Sequence, residues 1–221
     1  SLDVYLNETT RHANVILPGP SPFEVSHYDL ALSQLAVRNA ARYSPPMFPK
    51  PDGQPEEWET ILRLVGVISG MGPCADTKFL DDMVLMTLVQ RETGEASSNI
   101  HGRNADAICA ALGPRRGPDR LLDFMLRTGP YGDGFGANPN GLTLDSVAAH
   151  THGLDLGPLE PRIPEVLRTK SGKIELAPEV IVSDVARLEQ KLGDDTNGYV
   201  LIGRREVRSN NSWMHNLPML V

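Results

Sequence analysis

The sequence predicts an α/β protein, and three observations carry that prediction. Apolar residues recur at helical spacing through residues 55–65, 79–88 and 118–126. A continuous apolar run, Val200-Leu201-Ile202, stops at Gly203 in the manner of a buried strand that a backbone or ligand can approach closely. Val166-Leu-Arg-Thr169 and Lys173-Ile-Glu-Leu176 flank Lys170-Ser-Gly172 as the arms of a hairpin.

Taken in order, the chain first passes a Pro/Gly-rich turn, Gly19-Pro-Ser-Pro22. Residues 30–43 mix alternating and helical spacing, which leaves strand and helix both open. The prolines at 45, 46, 49 and 51 then impose an extended linker, because each restrains the residue before it. A helix follows, with Pro55 in its first turn, Glu56, Glu57 and Glu59 at the positive end of its dipole, and Trp58, Ile61, Leu62 and Val65 on one face; Gly66 and Gly70 mark its end. Asp76 caps a second helix whose apolar face reads Phe79, Leu80, Met83, Val84, Leu88, its methionines belonging to a core. Residues 104–112, 118–126 and 143–149 are further helices, the middle one burying Leu121, Leu122, Met125 and Leu126. Residues 153–164 read as a proline-broken connector, and Ser183 caps a last helix carrying Val185, Leu188 and Leu192. The polar stretch 193–198 is a linker, which places a domain boundary between 195 and 196.

Composition narrows the function. With 28 acidic against 21 basic residues the net charge is -7, and no long basic run exists, so nucleic acid is not an expected partner. No window approaches the roughly 18 uninterrupted apolar residues of a membrane span, and the N-terminus lacks the pattern of a signal peptide. A cytoplasmic protein without a membrane segment is expected. Cys74 and Cys109 lack metal-ligand spacing and read as free thiols. His150-Thr-His152 reads as a loop or helix-end pair rather than a metal clamp, and Gly132-Asp-Gly134-Phe-Gly136 as a structural loop, since it follows no evident strand and lacks a Walker lysine.

The richest chemistry follows the run that ends at Ile202 and Gly203. Arg204, Arg205 and Arg208 offer planar forks for phosphates or carboxylates, while Ser209, Asn210, Asn211 and Ser212 supply donors and acceptors suited to a heteroaromatic edge; Met214 and His215 lie just beyond. A solvated loop is the plainer reading of the same residues. A strand ending in Gly203-Arg204, followed by a polar run with Met214, resembles the opening of the last domain of molybdopterin oxidoreductases of the dimethyl sulfoxide reductase type, the group of formate dehydrogenases and nitrate reductases. Ser209-Asn210-Asn211 stand where many relatives have His or Trp-His. Residues 3–18 are also similar to that family: an acidic residue, Asp3, closes a strand, a short helix with Glu8-Thr9 follows, and Ala13-Asn14-Val15-Ile16-Leu17-Pro18 forms the next strand, with Asn14 in place of the usual Asp.

The resemblance implies the end of a Rossmann-like parallel α/β domain plus a mainly helical connector with a hairpin over residues 1–195, and the truncated start of a C-terminal β-barrel cofactor-binding domain over 196–221. It implies a molybdenum or tungsten ion held by two molybdopterin guanine dinucleotides, acting on a small-molecule substrate such as formate or nitrate with an electron-transfer subunit as partner. Asp3 would accept hydrogen bonds from a guanine, unless it is a capping aspartate, and Ile202 to His215 would lie along pterin and phosphate. The metal-ligating residue and an iron–sulfur cluster belong to an N-terminal part outside this chain, and no catalytic or metal-ligating residue is assigned within it. Because the chain starts without methionine at what resembles mid-domain, a fragment is expected, inactive alone. The rival reading is a stand-alone binding or assembly module that grips an anionic ligand or protein partner.

Overall fold

The computed structural model describes residues 1–193 and 198–203. The chain divides into two compact units, Ser1–Glu160 and Pro161–Val221. The boundary expected between 195 and 196 falls against residues outside the described set.

The first unit is built on helices. In α1 (Glu57–Ile68), Glu56 is the N-cap rather than a first-turn residue, and its backbone N–H donates to Glu59 Oε2 at 2.8 Å in a capping box. Gly66 lies inside this helix instead of ending it, and its lack of a side chain serves packing: a β-carbon there would collide with Ala75, just before α2. α2 (Thr77–Gly94) starts as expected at Asp76, whose carboxylate accepts from the amides of Lys78 and Phe79. Its buried stripe is Thr77, Leu80, Asp81, Leu85 and Val89, so the expected register is rotated: Phe79, Met83 and Val84 are exposed. The i, i+4 template was satisfied by the wrong row because α2 is apolar on more than one side.

α3 (Ala105–Ala111) is capped by Asn104, and α4 (Gly117–Thr128) and α5 (Leu144–Ala148) complete the set. The core joins Leu85 and Val89 of α2, Ile108 and Leu112 around α3, Phe124 of α4, and Ile100 and Phe135 from loops. Met125, expected inside, is 44% exposed, and Phe124 takes its place. A buried ion pair and its exposed neighbours stitch the helices together: Arg120 donates to buried Asp81 at 2.6 Å and to exposed Asp82 at 2.7 Å, and Arg116 also pairs with Asp82. Partial desolvation opposes charge on Asp82, but both guanidiniums outweigh it and hold this carboxyl below its ordinary range.

Two small antiparallel sheets flank these helices. β1 (His27–Tyr28) pairs with β3 (Tyr43–Ser44), and β2 (Arg38–Ala41) pairs with β4 (Leu154–Pro158). The open segment 30–43 thus resolves into a short 3₁₀ turn and strand, and the connector expected from 153 contains a strand, its signal being the alternation of Leu154 and Leu156 with polar Asp155. Asp119 of α4 ties one sheet down by accepting from Ser26 Oγ at 2.8 Å and Tyr43 Oη at 3.0 Å. The coarse prediction of helices with sheets stands, but among the described residues there is no parallel sheet and no closed barrel. Parallel pairing is confined to isolated bridges, Leu2 with Leu17 and Gly132 with Leu142.

The second unit holds α6 (Glu179–Val182) and α7 (Val185–Gly193), and none of its described residues is buried. The expected hairpin is a turn without arms: Gly172 N donates to Thr169 O at 3.1 Å and Thr169 Oγ1 to Lys173 O at 2.7 Å, but no ladder follows. Ile174 and Leu176 are 61% and 92% exposed, and an isolated two-stranded hairpin with no face to bury is at best marginal. Ser183 ends α6 rather than capping α7. Residues 200–203 form no strand either; Val200, Leu201 and Ile202 are exposed, for no strand among the described residues lies beside them to take their hydrogen bonds.

Candidate functional site

Residues 1–18 build a compact crossover. Leu17 N donates to Ser1 O at 2.8 Å and Ser1 N to Val15 O at 2.9 Å, which aligns the two extended segments in parallel. Between them a single 3₁₀ turn, Thr10–His12, is anchored by buried Thr10 and by Asn7, whose side-chain oxygen accepts from the amides of Thr9 and Thr10 at 2.9 Å. Asp3 sits where the first segment ends. Its Oδ1 accepts from Val4 N and its Oδ2 from Asn7 Nδ2, each at 2.8 Å. Asn7, not Asp3, therefore takes the capping role at this turn, and the part left to Asp3 is the local pairing that holds Asn7 in place. That pairing does not exhaust the group, because an ionised carboxylate offers about four acceptor sites.

Asp3 also lines a cleft of about 390 Å³ whose walls are Leu2, Val4, Pro20, Pro22 and Val25. That volume lies within the about 300–1,000 Å³ typical of small-molecule sites. Two further polar groups reach it from α1, Glu57 and Thr60, and sequence reasoning missed both. Their signal was present: Glu57 opens a helix, and the Gly19-Pro-Ser-Pro22 turn must fold back close to the strand it follows. The charged groups lining the cleft are both carboxylates, so it suits a neutral ligand that donates hydrogen bonds, and it repels phosphate. A guanine edge, with adjacent N–H donors and an apolar ring face, meets those terms.

The remaining expected site residues lie elsewhere. Ile202 and Gly203 are exposed and irregular in the second unit, while Arg204, Arg205, Arg208, Ser209, Asn210, Asn211, Ser212, Met214 and His215 lie outside the described residues.

The glycine-rich loop behaves as a lock. Asp133 accepts from Arg127 through two bonds of 2.9 Å, from Phe135 N at 3.0 Å and from Gly136 N at 3.2 Å. Those amides cannot also cradle a phosphate. The Arg127 guanidinium stacks 4.1 Å from the Phe135 ring centroid, and Arg103 donates to the carbonyls of Gly134 and Phe135. His150 engages Ser146 O through Nδ1 at 2.7 Å, at the end of α5. Cys74 and Cys109 are free thiols, and among the described residues no three His, Cys, Asp or Glu side chains gather as a metal site. No described helix is long and apolar enough to cross a membrane. Comparison with protein-family models, curated proteins and solved structures finds no match to this chain.

Proposed function

We propose that the chain is part of a molybdenum or tungsten bis(molybdopterin guanine dinucleotide) oxidoreductase, in which it supplies cofactor-binding surface rather than catalytic residues. The observation that carries the reading is Asp3: a carboxylate with acceptor capacity to spare, at the end of a parallel crossover, lining an apolar cleft free of cationic groups. Asp3 would accept the paired N–H groups of a guanine, and the walls around Leu2 and Val25 would cover the ring and exclude water from those bonds. Arg204, Arg205 and Arg208 would take the phosphates that the acidic cleft rejects, with Ser209 to Ser212, Met214 and His215 along the pterin. When bound, the cofactor supplies the redox chemistry on a small substrate such as formate or nitrate; the protein binds and orients it.

The test is metal and nucleotide analysis of the protein expressed with its full natural ends under conditions that supply the cofactor. Wild type should carry molybdenum or tungsten together with guanine nucleotide. Asp3→Ala should weaken retention of the nucleotide by about 1.5–3 kcal/mol, the worth of a hydrogen bond to a charged group. Repeated absence of both metals from the wild type overturns the reading, and equal nucleotide retention removes Asp3 from the site.

A further inference from the structure

A second cleft, of about 450 Å³, lies against another face of α1 and shares Thr60 with the first. Its walls are Pro18, Pro55, Leu64, Val67 and Pro73, and the charged residue lining it is Arg63. Leu64 and Val67 are 39% and 46% exposed, so the cleft opens to solvent along an apolar floor. Three wall residues are prolines, whose rings fix the backbone at those points, and such a wall loses little freedom when it is filled.

Arg63 has no hydrogen-bond or ion-pair partner among the described residues. The acid best placed to neutralise it along the helix, Glu59 four residues earlier, is engaged in the capping box with the Glu56 amide. An unpaired guanidinium thus borders an apolar trough. A single planar fork matches one carboxylate in a two-point contact, whereas a doubly charged phosphate calls for further cations that this cleft lacks.

We propose that this cleft binds a free medium-chain alkyl carboxylate, with the tail along Leu64 and Val67 and the head on Arg63. The proposal is independent of the guanine site. Isothermal titration of the 221-residue chain with decanoate, decanol and decylammonium tests it. Decanoate should bind saturably and about tenfold more tightly than decanol, as a charge-assisted pair at an exposed rim allows, and decylammonium should bind weakest. Arg63→Gln should bring decanoate down to the affinity of decanol, and Val67→Trp should fill the trough and remove both while the melting temperature stays near that of the wild type. Equal binding of decanoate and decanol, an Arg63→Gln chain that still prefers decanoate, or no saturable binding would each overturn the proposal. So would binding of a peptide with an apolar free C-terminus in the absence of any binding of decanoate, which would assign the cleft to protein docking.

Discussion

Two aspartates close two turns in the first unit, and they do so to different degrees of completion. Asp133 receives four hydrogen bonds, two from Arg127 and two from backbone amides, and is buried. Asp3 receives two and stands half-buried at the edge of a cleft. A carboxylate whose acceptor sites are filled by its own chain is committed to the fold. One with sites to spare, beside empty apolar space, can still take a ligand. Residue type alone does not separate these cases; the count of local donors does.

The largest expected effect lies on the committed side. Asp133→Ala leaves Arg127 and two amides without their acceptor, and breaking a buried pair in this way should cost about 3–5 kcal/mol, read from urea unfolding. Asp3→Ala removes two local bonds at a half-exposed site and should cost the fold no more than about 1–2 kcal/mol. Equal losses would break the comparison.

Next comes Gly117, where α4 begins at a φ of +57° and a β-carbon would sit 2.5 Å from the Trp58 ring. Gly117→Ala should destabilise by about 1–3 kcal/mol through overpacking and left-handed backbone. The same measurement at Gly53, also left-handed but with open space around it, isolates the backbone share.

The smallest effect is one of pH. Burial pushes the Asp133 carboxyl up, but Arg127 and the amides of Phe135 and Gly136 outweigh it, and the net position is below the ordinary range. A depressed folded pKa means that the charged form favours folding. Its contribution is complete above about pH 4 and drains as pH falls through the depressed value. The acid limb of the stability curve should therefore be shallower in Asp133→Asn than in the wild type. An unchanged limb would show that other groups govern the acid transition.

Helix placement was legible because caps and breakers act locally. Asp76, Asn104 and Thr143 each announce a helix through a side chain that satisfies amides two or three residues on. The buried face was less legible. α1 and α2 carry apolar residues on several sides, so periodicity alone could not say that Leu85 and Val89 go inside while Met83 stays out. Strands failed where pairing is non-local: β4 finds its partner more than a hundred residues earlier, in a register fixed by contacts that no window of sequence contains. The apolar run 200–202 failed in the opposite sense, since the pattern of a strand does not supply a neighbour. At the candidate cleft, Asp3 was singled out from the sequence, whereas Glu57 and Thr60 reach the same cleft only because α1 folds back beside residues 2–4 and 19–25.

The seating of Trp58 over Gly117 has an optical consequence. The indole Nε1 donates to Glu56 Oε2 at 2.9 Å while its ring covers the glycine at the start of α4. Its emission therefore gauges whether α1 is closed on α4, and the chain's other tryptophan, Trp213, can be replaced by Phe to leave that signal alone. Such a protein carries a built-in fluorophore at the seam between α1 and α4, so loss of that packing can be followed by light, without a label and without turnover.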